Sequence, residues 1–482
     1  MQKYNLLDEQ WIPLKAQSSI SLYQCFSLST KGELGGNPLQ HMAVLRLLMA
    51  IAQRACLLED EEEWKKVGAE GLSKCCLEYL RDHYDDFWLY GDKPFLQDPS
   101  IIDFKDGAKS MIGVYELPQL PSENEGLMRA DNPLFMKKDS NLALFLLLLQ
   151  CYAFKSYANS EKGHCAPASS PAFGKGYLYS HLYGKTIMET IWMNYLTMDT
   201  LVSLYGRVSF NDSLPPWERF PSLEIEQEYT NSIWDWYIPC CRRLLVAECN
   251  LIMLSGLHCS NENSSKEVWI DPFISIKKQK NEQVIIKTEY SKSPWRILPA
   301  LLSSAYAGDE VNCWCIKYCY SRVRKKTESF SIWSGGLAVT PPKGVNVVMV
   351  KADDGFVESS VDIMSSLFDT IEYESFCRAI KNIEEKASIL YRSVFDFFKD
   401  INEKEKGSKE SSKATYAFWS YIENEYEEIF NLCCARKSLF ELFERINQEI
   451  EYIYEDSCLG DNWRQLQARV KNKPFLRNNY EK

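Results

Sequence analysis

Three groupings in this sequence have residue types that could do chemistry. Cys313, Cys315 and Cys319 form C-x-C-x3-C, with Cys249, His258 and Cys259 upstream. Thiolates and imidazoles are the usual ligands of zinc, but structural zinc normally shows paired C-x2-to-4-C knuckles, and only one loose cluster stands here. Buried free thiols are therefore the expectation, and no metal or cofactor is expected. A metal-dependent nuclease or hydrolase built on the Cys313–Cys319 region is the alternative. His164 beside Cys165 pairs a base with a nucleophile, yet sequence neighbours rarely face one another as that chemistry requires. The five histidines are scattered, and no G-x-S-x-G, H-E-x-x-H or Walker loop occurs.

The third grouping is Phe173-Gly174-Lys175-Gly176. Glycines let backbone amides approach a ligand closely, and a flanking lysine adds a charge for phosphate. It is no dinucleotide fingerprint, because the third glycine of G-x-G-x-x-G would fall on Tyr179. The residues themselves leave two roles open: a structural loop, or a loop that binds phosphate or a nucleic-acid groove.

This loop must be held by what precedes it, the leucine-packed helix LALFLLLLQCYAF over residues 142–154. Long glycine-containing loops are functional or disordered, and Phe173, Tyr177, Tyr179 and Tyr183 argue for order. Upstream, residues 1–26 suggest short strands in a hairpin. Helices are expected over 38–55, with Pro38 in the first turn, and over 60–84, with an acidic start. FWLYGDKPFLQ at 87–97 reads as an aromatic packing corner. Downstream come one helix at 187–205, the rigid connector LPPWERFP at 214–221, and strands in 229–350 interrupted by a helix near 293–306. Trp314, Ile316 and Tyr318 alternate like a strand, and Gly335 with Gly336 reads as a protruding turn. At the C-terminal end, apolar residues recur in steps of three and four in four registers: from Phe376 to Phe398, from Thr415 to Cys433, from Leu439 to Ile453, and Trp463, Leu466 and Val470. NEKEKGSKESSK at 402–413 is their longest link. That pattern reads as a four-helix bundle. The fold expected is α+β: a large mixed α/β N-terminal domain over residues 1–365, then a C-terminal four-helix bundle over 366–482.

Length and charge narrow the classes. The 482 residues are too many for one core. A net charge of -11 does not advertise a nucleic-acid binder, so any such role must rest on local basic patches or basic partners. Three patches qualify: Lys277, Lys278 and Lys280; Arg322, Arg324, Lys325 and Lys326; and Arg464, Arg469, Lys471, Lys473 and Arg477. Solvated faces are the bland reading of each. The longest apolar run is about 13 residues, short of the roughly 20 that span a bilayer, and residues 1–14 lack the pattern of a signal peptide. With 17 cysteines in no framework spacing, a soluble cytoplasmic protein is expected.

The order and spacing of several stretches resemble the CasA family, the large subunit of the type I-E CRISPR Cascade surveillance complex. They are NLLDEQWIPL at 5–14, LRLLMAIAQRA at 45–55, GDKPFLQ at 91–97, and the leucine helix with its P-x-F-G-x-G loop. LPPWERFP, SIWSGGLAV at 331–339 and the terminal bundle complete the set. The resemblance implies a non-enzymatic protein that docks on CRISPR guide RNA and Cascade backbone subunits. It further implies reading of the protospacer-adjacent motif in double-stranded DNA, help in opening the duplex, and recruitment of a helicase-nuclease. By resemblance the minor-groove glycine loop is Phe173, Gly174, Lys175 and Gly176. The lysine finger is Lys266, with Lys277 second. The wedge hairpin lies within 336–344, with Thr340, Pro341 and Pro342 near its tip and Lys343 beside them. Phe135 is the contact to the guide handle. Lys175 interrupts the family's glycine loop, and prolines stand where some members carry an amide in the wedge. A rigid apolar wedge can still unstack a base step, and minor-groove readout is degenerate, so tolerant motif recognition is expected.

Overall fold

The structure, a computed structural model of the chain, describes residues 3–15, 18–107, 109–110, 139–152, 176–205, 214–219, 233–240, 242–247, 250–255, 271–279, 282–289, 293–303, 311–324, 329–338, 355–364 and 370–475. It is mixed helix and strand, with a sheet-containing N-terminal region and a helical C-terminal one. Two compact units are distinguished: Met1–Lys326 with Phe330–Asp362, and Thr327–Ser329 with Ile363–Lys482.

The first unit is built around one helix. A four-residue turn, α1 (Leu22–Cys25), precedes α2 (Pro38–Ala55), whose N-cap Asn37 accepts from Leu39 N and Gln40 N. Every residue of α2 from Pro38 to Gln53 is buried, as a helix apolar on all sides must be. Its polar members therefore need internal partners. Gln53 donates to Tyr195 Oη and Leu196 O, while Arg46 meets Asp271 and His41 meets His181. The N-terminal stretch is less strand-like than its alternation suggests. Among the described residues it forms isolated bridges, Asn5 to Trp88, Ile12 to Ile20 and Leu14 to Leu34, because α1 takes up the residues that would extend the hairpin.

Against α2 lie α3 (Glu61–Asp82), capped by Asp60 and kinked at Gly68, and α4 (Asp139–Cys151), the leucine helix. The corner at 87–97 packs as expected: Phe87 and Phe95 stack at 5.4 Å, and Gln97 donates to Leu89 O while accepting from Val246 N. In the connector, Trp217 is buried and donates to Tyr79 Oη, and Glu218 accepts two bonds from Arg54, at 2.8 and 2.9 Å.

The helix expected at 187–205 is two: α5 (Ile187–Asn194) and α6 (Met198–Tyr205). The break is tertiary in origin. Tyr195 turns to extended backbone, ψ 129, and side chains satisfy the carbonyls freed there: Arg322 donates to Met193 O and Tyr195 O, and Gln53 to Leu196 O. A short helix, α7 (Ile233–Tyr237), precedes the strand region. Tertiary context also overrides the strand pattern at Trp314, Ile316 and Tyr318. These residues lie on a helix, where Trp314 and Tyr318 stack one turn apart at 5.8 Å. Counting α8 (Leu298–Ser303), this helix is α9 (Trp314–Arg324).

Among the described residues, three three-stranded sheets complete the unit. The first has the order β1 (Lys109–Ser110), β4 (Asn250–Ser255), β3 (Arg242–Ala247). The second is β2 (Tyr179–Tyr183), β8 (Ser329–Ala338), β9 (Gly355–Met364). The third is β6 (Glu282–Ile285), β5 (Ile276–Gln279), β7 (Val311–Asn312). The glycine pair expected in a protruding turn sits inside β8, with Gly335 opposite Tyr179. Glycine is needed there for close approach: a Cβ on Gly336 would lie 2.4 Å from Tyr177 O and 2.6 Å from Thr288 Oγ1.

In the second unit α10 (Thr370–Asp400), α11 (Lys404–Cys434), α12 (Phe440–Ser457) and α13 (Trp463–Lys471) are the four expected helices. Phe376, Ile383, Leu390, Val394, Ile422, Ile429, Ile446 and Ile450 are buried in their core. Two details differ. The polar link at 402–413 is mostly helix, because Gly407 lets α11 pass within contact of Phe398 and Ser411 bonds back to Gly407 O at 2.7 Å. The fourth register faces out, with Trp463 79 %, Leu466 43 % and Val470 69 % exposed; α13 buries Ala468 instead.

Candidate functional site

Of the candidate residues, Gly176 is described. Phe135, Phe173, Gly174, Lys175, Lys266, Thr340, Pro341, Pro342 and Lys343 lie outside the described residues, as do His164, Cys165, Cys249, His258, Cys259 and the strand expected at 344–350. What is visible is the framework from which these segments start.

Gly176 is buried with φ +71, a left-handed backbone that glycine adopts without a Cβ penalty. Its carbonyl accepts from Thr288 N at 2.7 Å, and Leu178 N donates to Ile286 O at 2.9 Å. Tyr177 bridges Lys287 across the same edge. On the other side β2 runs antiparallel to β8, from Tyr179 opposite Gly335 to Tyr183 opposite Ser331. Following that register from Tyr179 back to Gly176 is following β8 forward to Ala338. The glycine loop and the segment after residue 338 therefore attach to neighbouring strands at one end of one sheet. Thr288 fastens that end, its hydroxyl donating to Tyr177 O at 3.0 Å.

Lys287 is exposed beside this junction and has no ion-pair partner among the described residues. The sequence reading missed it, although the alternation at 274–287 places it one residue before the threonine that closes on Gly176. The basic patches divide. Lys277 and Lys278 are exposed. Arg322 is no surface cation: it is buried, pairs with Glu61 and stacks 4.2 Å over Trp64. Arg469, Lys471 and Lys473 pair with Glu455, Asp400 and Glu451, and Arg464 donates to Asp400 O. Lys280, Lys325, Lys326 and Arg477 lie outside the described residues.

The thiols of α9 and its approach turn inward. Cys313 Sγ donates to Ser180 O at 3.2 Å and Cys315 Sγ to Asn194 Oδ1 at 3.0 Å. Burial pushes the Cys313 thiol up to about 12. Burial acts the same way on Cys319, but its hydrogen bond with Cys315 and the Arg322 guanidinium together hold it below the usual thiol range. Among the described residues no three His, Cys, Asp or Glu side chains are grouped to hold a metal.

The family model for the CRISPR-associated protein Cse1 matches residues 5–451. The chain belongs to the Cse1 family. Solved structures with a similar fold include CasA of Thermus thermophilus, at 15% identity and TM-score 0.72 with 98% of each chain covered. Another is Cse1 of Thermobifida fusca, at 16% identity and TM-score 0.70, covering 98% of this chain and 97% of that one. A chain of a CRISPR RNA-guided surveillance complex is also similar, at 15% identity and TM-score 0.74 with 98% of each chain covered. No curated protein sequence matches the chain.

Within this Cse1-family chain the sheet end described above is organised from the interior. Arg46, in the central helix, reaches the turn at Asp271 that leads into the strands holding Gly176. Its signal in the sequence was an arginine in the middle of an unbroken apolar run, Met42 to Ala52, which calls for a buried carboxylate. Among the described residues no helix is long and apolar enough to cross a membrane.

Proposed function

We propose that this chain is the non-catalytic large subunit of a type I-E Cascade complex, in which it reads the protospacer-adjacent motif in double-stranded DNA and promotes opening of the duplex. The observation that carries the reading is the shared sheet end: Gly176 and Ala338 start the two candidate DNA elements from neighbouring strands, with exposed Lys287 beside them. Membership of the Cse1 family and likeness to a chain of an RNA-guided surveillance complex support the same role.

In this reading Phe173, Gly174, Lys175 and Gly176 are the minor-groove loop, with Gly176 as its buried foot in the sheet and the residues before it reaching the groove, where small residues allow backbone contact with base edges. Lys266 supplies a cation to the groove. Thr340, Pro341 and Pro342, with Lys343, wedge into the adjacent base step. Phe135 contacts the guide RNA. Base pairing by the guide reads the remaining sequence, and a helicase-nuclease recruited afterwards degrades the target. The mixed domain at 1–365 carries the DNA elements, the bundle at 366–482 completes the subunit, and the complex works in the cytoplasm. An acidic chain binds DNA weakly alone, so affinity comes from assembly with guide RNA and backbone subunits.

The test is reconstitution with guide RNA and backbone subunits, followed by binding to duplexes that differ only in the bases flanking the guide-matched stretch. Bulky replacement of Gly174 is expected to abolish flank-dependent binding while assembly persists; Gly176, buried at φ +71, is left intact because a side chain there would disturb the sheet itself. Unchanged binding refutes the reading. Stoichiometric zinc with chelator-sensitive cutting by the isolated chain refutes the non-catalytic part.

A further inference from the structure

The described cysteines are all free, but they are not equivalent. Most, Cys313 and Cys319 among them, are buried and closed to solvent. Cys56, Cys75, Cys377 and Cys434 are half-buried and reachable by small molecules in solution. Of these, Cys377 bonds to Tyr373, whereas Cys56 and Cys75 share a hydrogen bond with each other. They come from different elements: Cys56 caps the C-terminal end of α2, with its N–H on Ala52 O at 3.2 Å, and Cys75 lies within α3. Burial and, after it, the bond to Cys75 push the Cys56 thiol up to about 12. Cys56 therefore keeps its proton, and Cys75 presents the accepting sulfur. Cys76 alongside is fully buried.

Both backbones are held in place. Cys56 O accepts from Tyr195 Oη, and that oxygen accepts from Leu58 N at 3.3 Å. Met198 N and Asp199 N of α6 donate to Leu58 O and Glu59 O at 2.9 and 3.0 Å. Near Cys75, Leu72 and Cys76 are buried and Ser73 Oγ donates to Phe26 O. Most cysteine pairs cannot be bridged without backbone movement. Two thiols already in contact on fixed segments need little. The stretch between them includes the kink of α3 at Gly68, φ +63.

We infer that Cys56 and Cys75 are a modification site, a peroxide-responsive thiol pair whose disulfide staples the end of the central helix to α3. The Cys75 sulfur, as its thiolate, attacks one oxygen of hydrogen peroxide. The O–O bond breaks, Cys75 becomes a sulfenic acid, and the departing hydroxide takes up a proton and leaves as water. The Cys56 sulfur then bonds to the Cys75 sulfur and displaces its hydroxide, which leaves with the Cys56 proton as a second water. Two electrons pass from the thiols to the peroxide. A dithiol reductant returns both thiols by exchange. The closed stretch 57–74 has less freedom in the unfolded chain, so the bridged form is the more stable. The DNA reading of the glycine loop plays no part in this inference.

In the experiment the full-length chain is treated with hydrogen peroxide, alkylated after denaturation and mapped by peptide mass spectrometry. The expected product is a peptide pair joined at Cys56 and Cys75, two hydrogen atoms lighter than its parts and separated again by a dithiol reductant. The bridged chain is expected to melt roughly 5 °C higher than the reduced one. Cys56→Ser removes the second thiol, so the sulfenic acid at Cys75 persists and is trapped by a cyclic 1,3-diketone, while Cys76→Ser bridges as wild type does. Unbridged Cys56 in peroxide-treated wild type overturns the inference, as does a bridge that runs to Cys76 instead of Cys75. No gain in trapping at Cys75 of Cys56→Ser overturns Cys75 as the attacking sulfur. The wild-type peptide map decides the existence of the bridge by itself if a variant fails to fold.

Discussion

His41 Nε2 lies 2.9 Å from His181 Nε2, so the central helix and the strand that leaves Gly176 share a hydrogen bond between two buried imidazoles. His181 Nδ1 donates to Leu182 O at 2.8 Å, which leaves its Nε2 to accept from His41. Trp333 of β8 stacks on both rings, at 4.4 Å and 5.2 Å. His41 Nδ1 also faces a carbonyl, Leu34 O, at 3.3 Å, so the three contacts call for three protons where two neutral imidazoles carry two, and a neutral pair leaves the weakest of them, His41 to Leu34, without its proton.

That geometry has a pH consequence. Burial pushes His181 down to about 4, and burial with the neighbouring His181 holds His41 well below its usual value. Lys15 acts in the same direction on both, while Glu33 at Tyr183 and Glu358 at Trp333 are the acids nearby. A depressed histidine binds fewer protons folded than unfolded. Its stabilisation is therefore complete above about pH 6.5 and is lost as pH falls towards 4, by about 3 kcal/mol for His181. Urea midpoints measured between pH 7 and 4.5 are expected to fall for wild type and to fall less for His181→Gln. Equal slopes in the two proteins would exclude this pair as the source.

Gly336 makes a second prediction, on stability. With Tyr177 O 2.4 Å and Thr288 Oγ1 2.6 Å from the place of a Cβ, Gly336→Ala must push β8 away from the strand leaving Gly176. Overpacking of this kind costs about 1–3 kcal/mol. Chemical denaturation gives the loss directly. Gly68→Ala is a useful contrast, since a Cβ there meets nothing within 4 Å and the penalty comes from φ +63 alone.

The bundle offers a prediction on which the apolar register and the fold disagree. Trp463, Leu466 and Val470 recur as core residues would, yet they are exposed, so Leu466→Ser is expected to change stability by less than about 0.5 kcal/mol. Ile450→Ala, fully buried on α12, is expected to cost about 2–5 kcal/mol. A large loss from Leu466→Ser would return α13's apolar face to the core.

These cases also show what could be read from residues and what could not. The helix at Pro38–Ala55 was legible because its cap, its proline and its apolar run all agree locally. The first three bundle registers were legible from their apolar repeat alone, whereas the fourth, Trp463, Leu466 and Val470, repeats in the same steps and faces out. The break after Asn194 was not, since it depends on Arg322, which is more than 120 residues away in sequence and captures Met193 O and Tyr195 O. Gly335 and Gly336 read as a turn because paired glycines usually punctuate, whereas here they admit a neighbouring backbone. Of the candidate site, the glycine loop and the wedge were assigned by family resemblance alone, and all of their residues but Gly176 and the end of β8 lie outside the described residues. Their common sheet end was not legible, because strand register is a tertiary fact.

Lys287 carries the last prediction. The bridge from Tyr177 places it next to the end of the glycine loop, exposed and with no carboxylate partner among the described residues. A lysine so placed meets a phosphate of any duplex that the loop enters, and phosphate contacts carry no base information. Lys287→Ala should therefore weaken binding of the assembled complex by a similar factor for every flanking sequence. It should also reduce the slope of log affinity against log salt by about one phosphate equivalent, near 0.9. Lys278→Ala, an exposed side chain on β5, is the matched control and is expected to move the slope less. If Lys287→Ala changes which flanks are preferred and leaves the salt slope alone, the residue reads bases and its assignment to the backbone is wrong. An unchanged affinity at every salt concentration would place the duplex away from this end of the sheet.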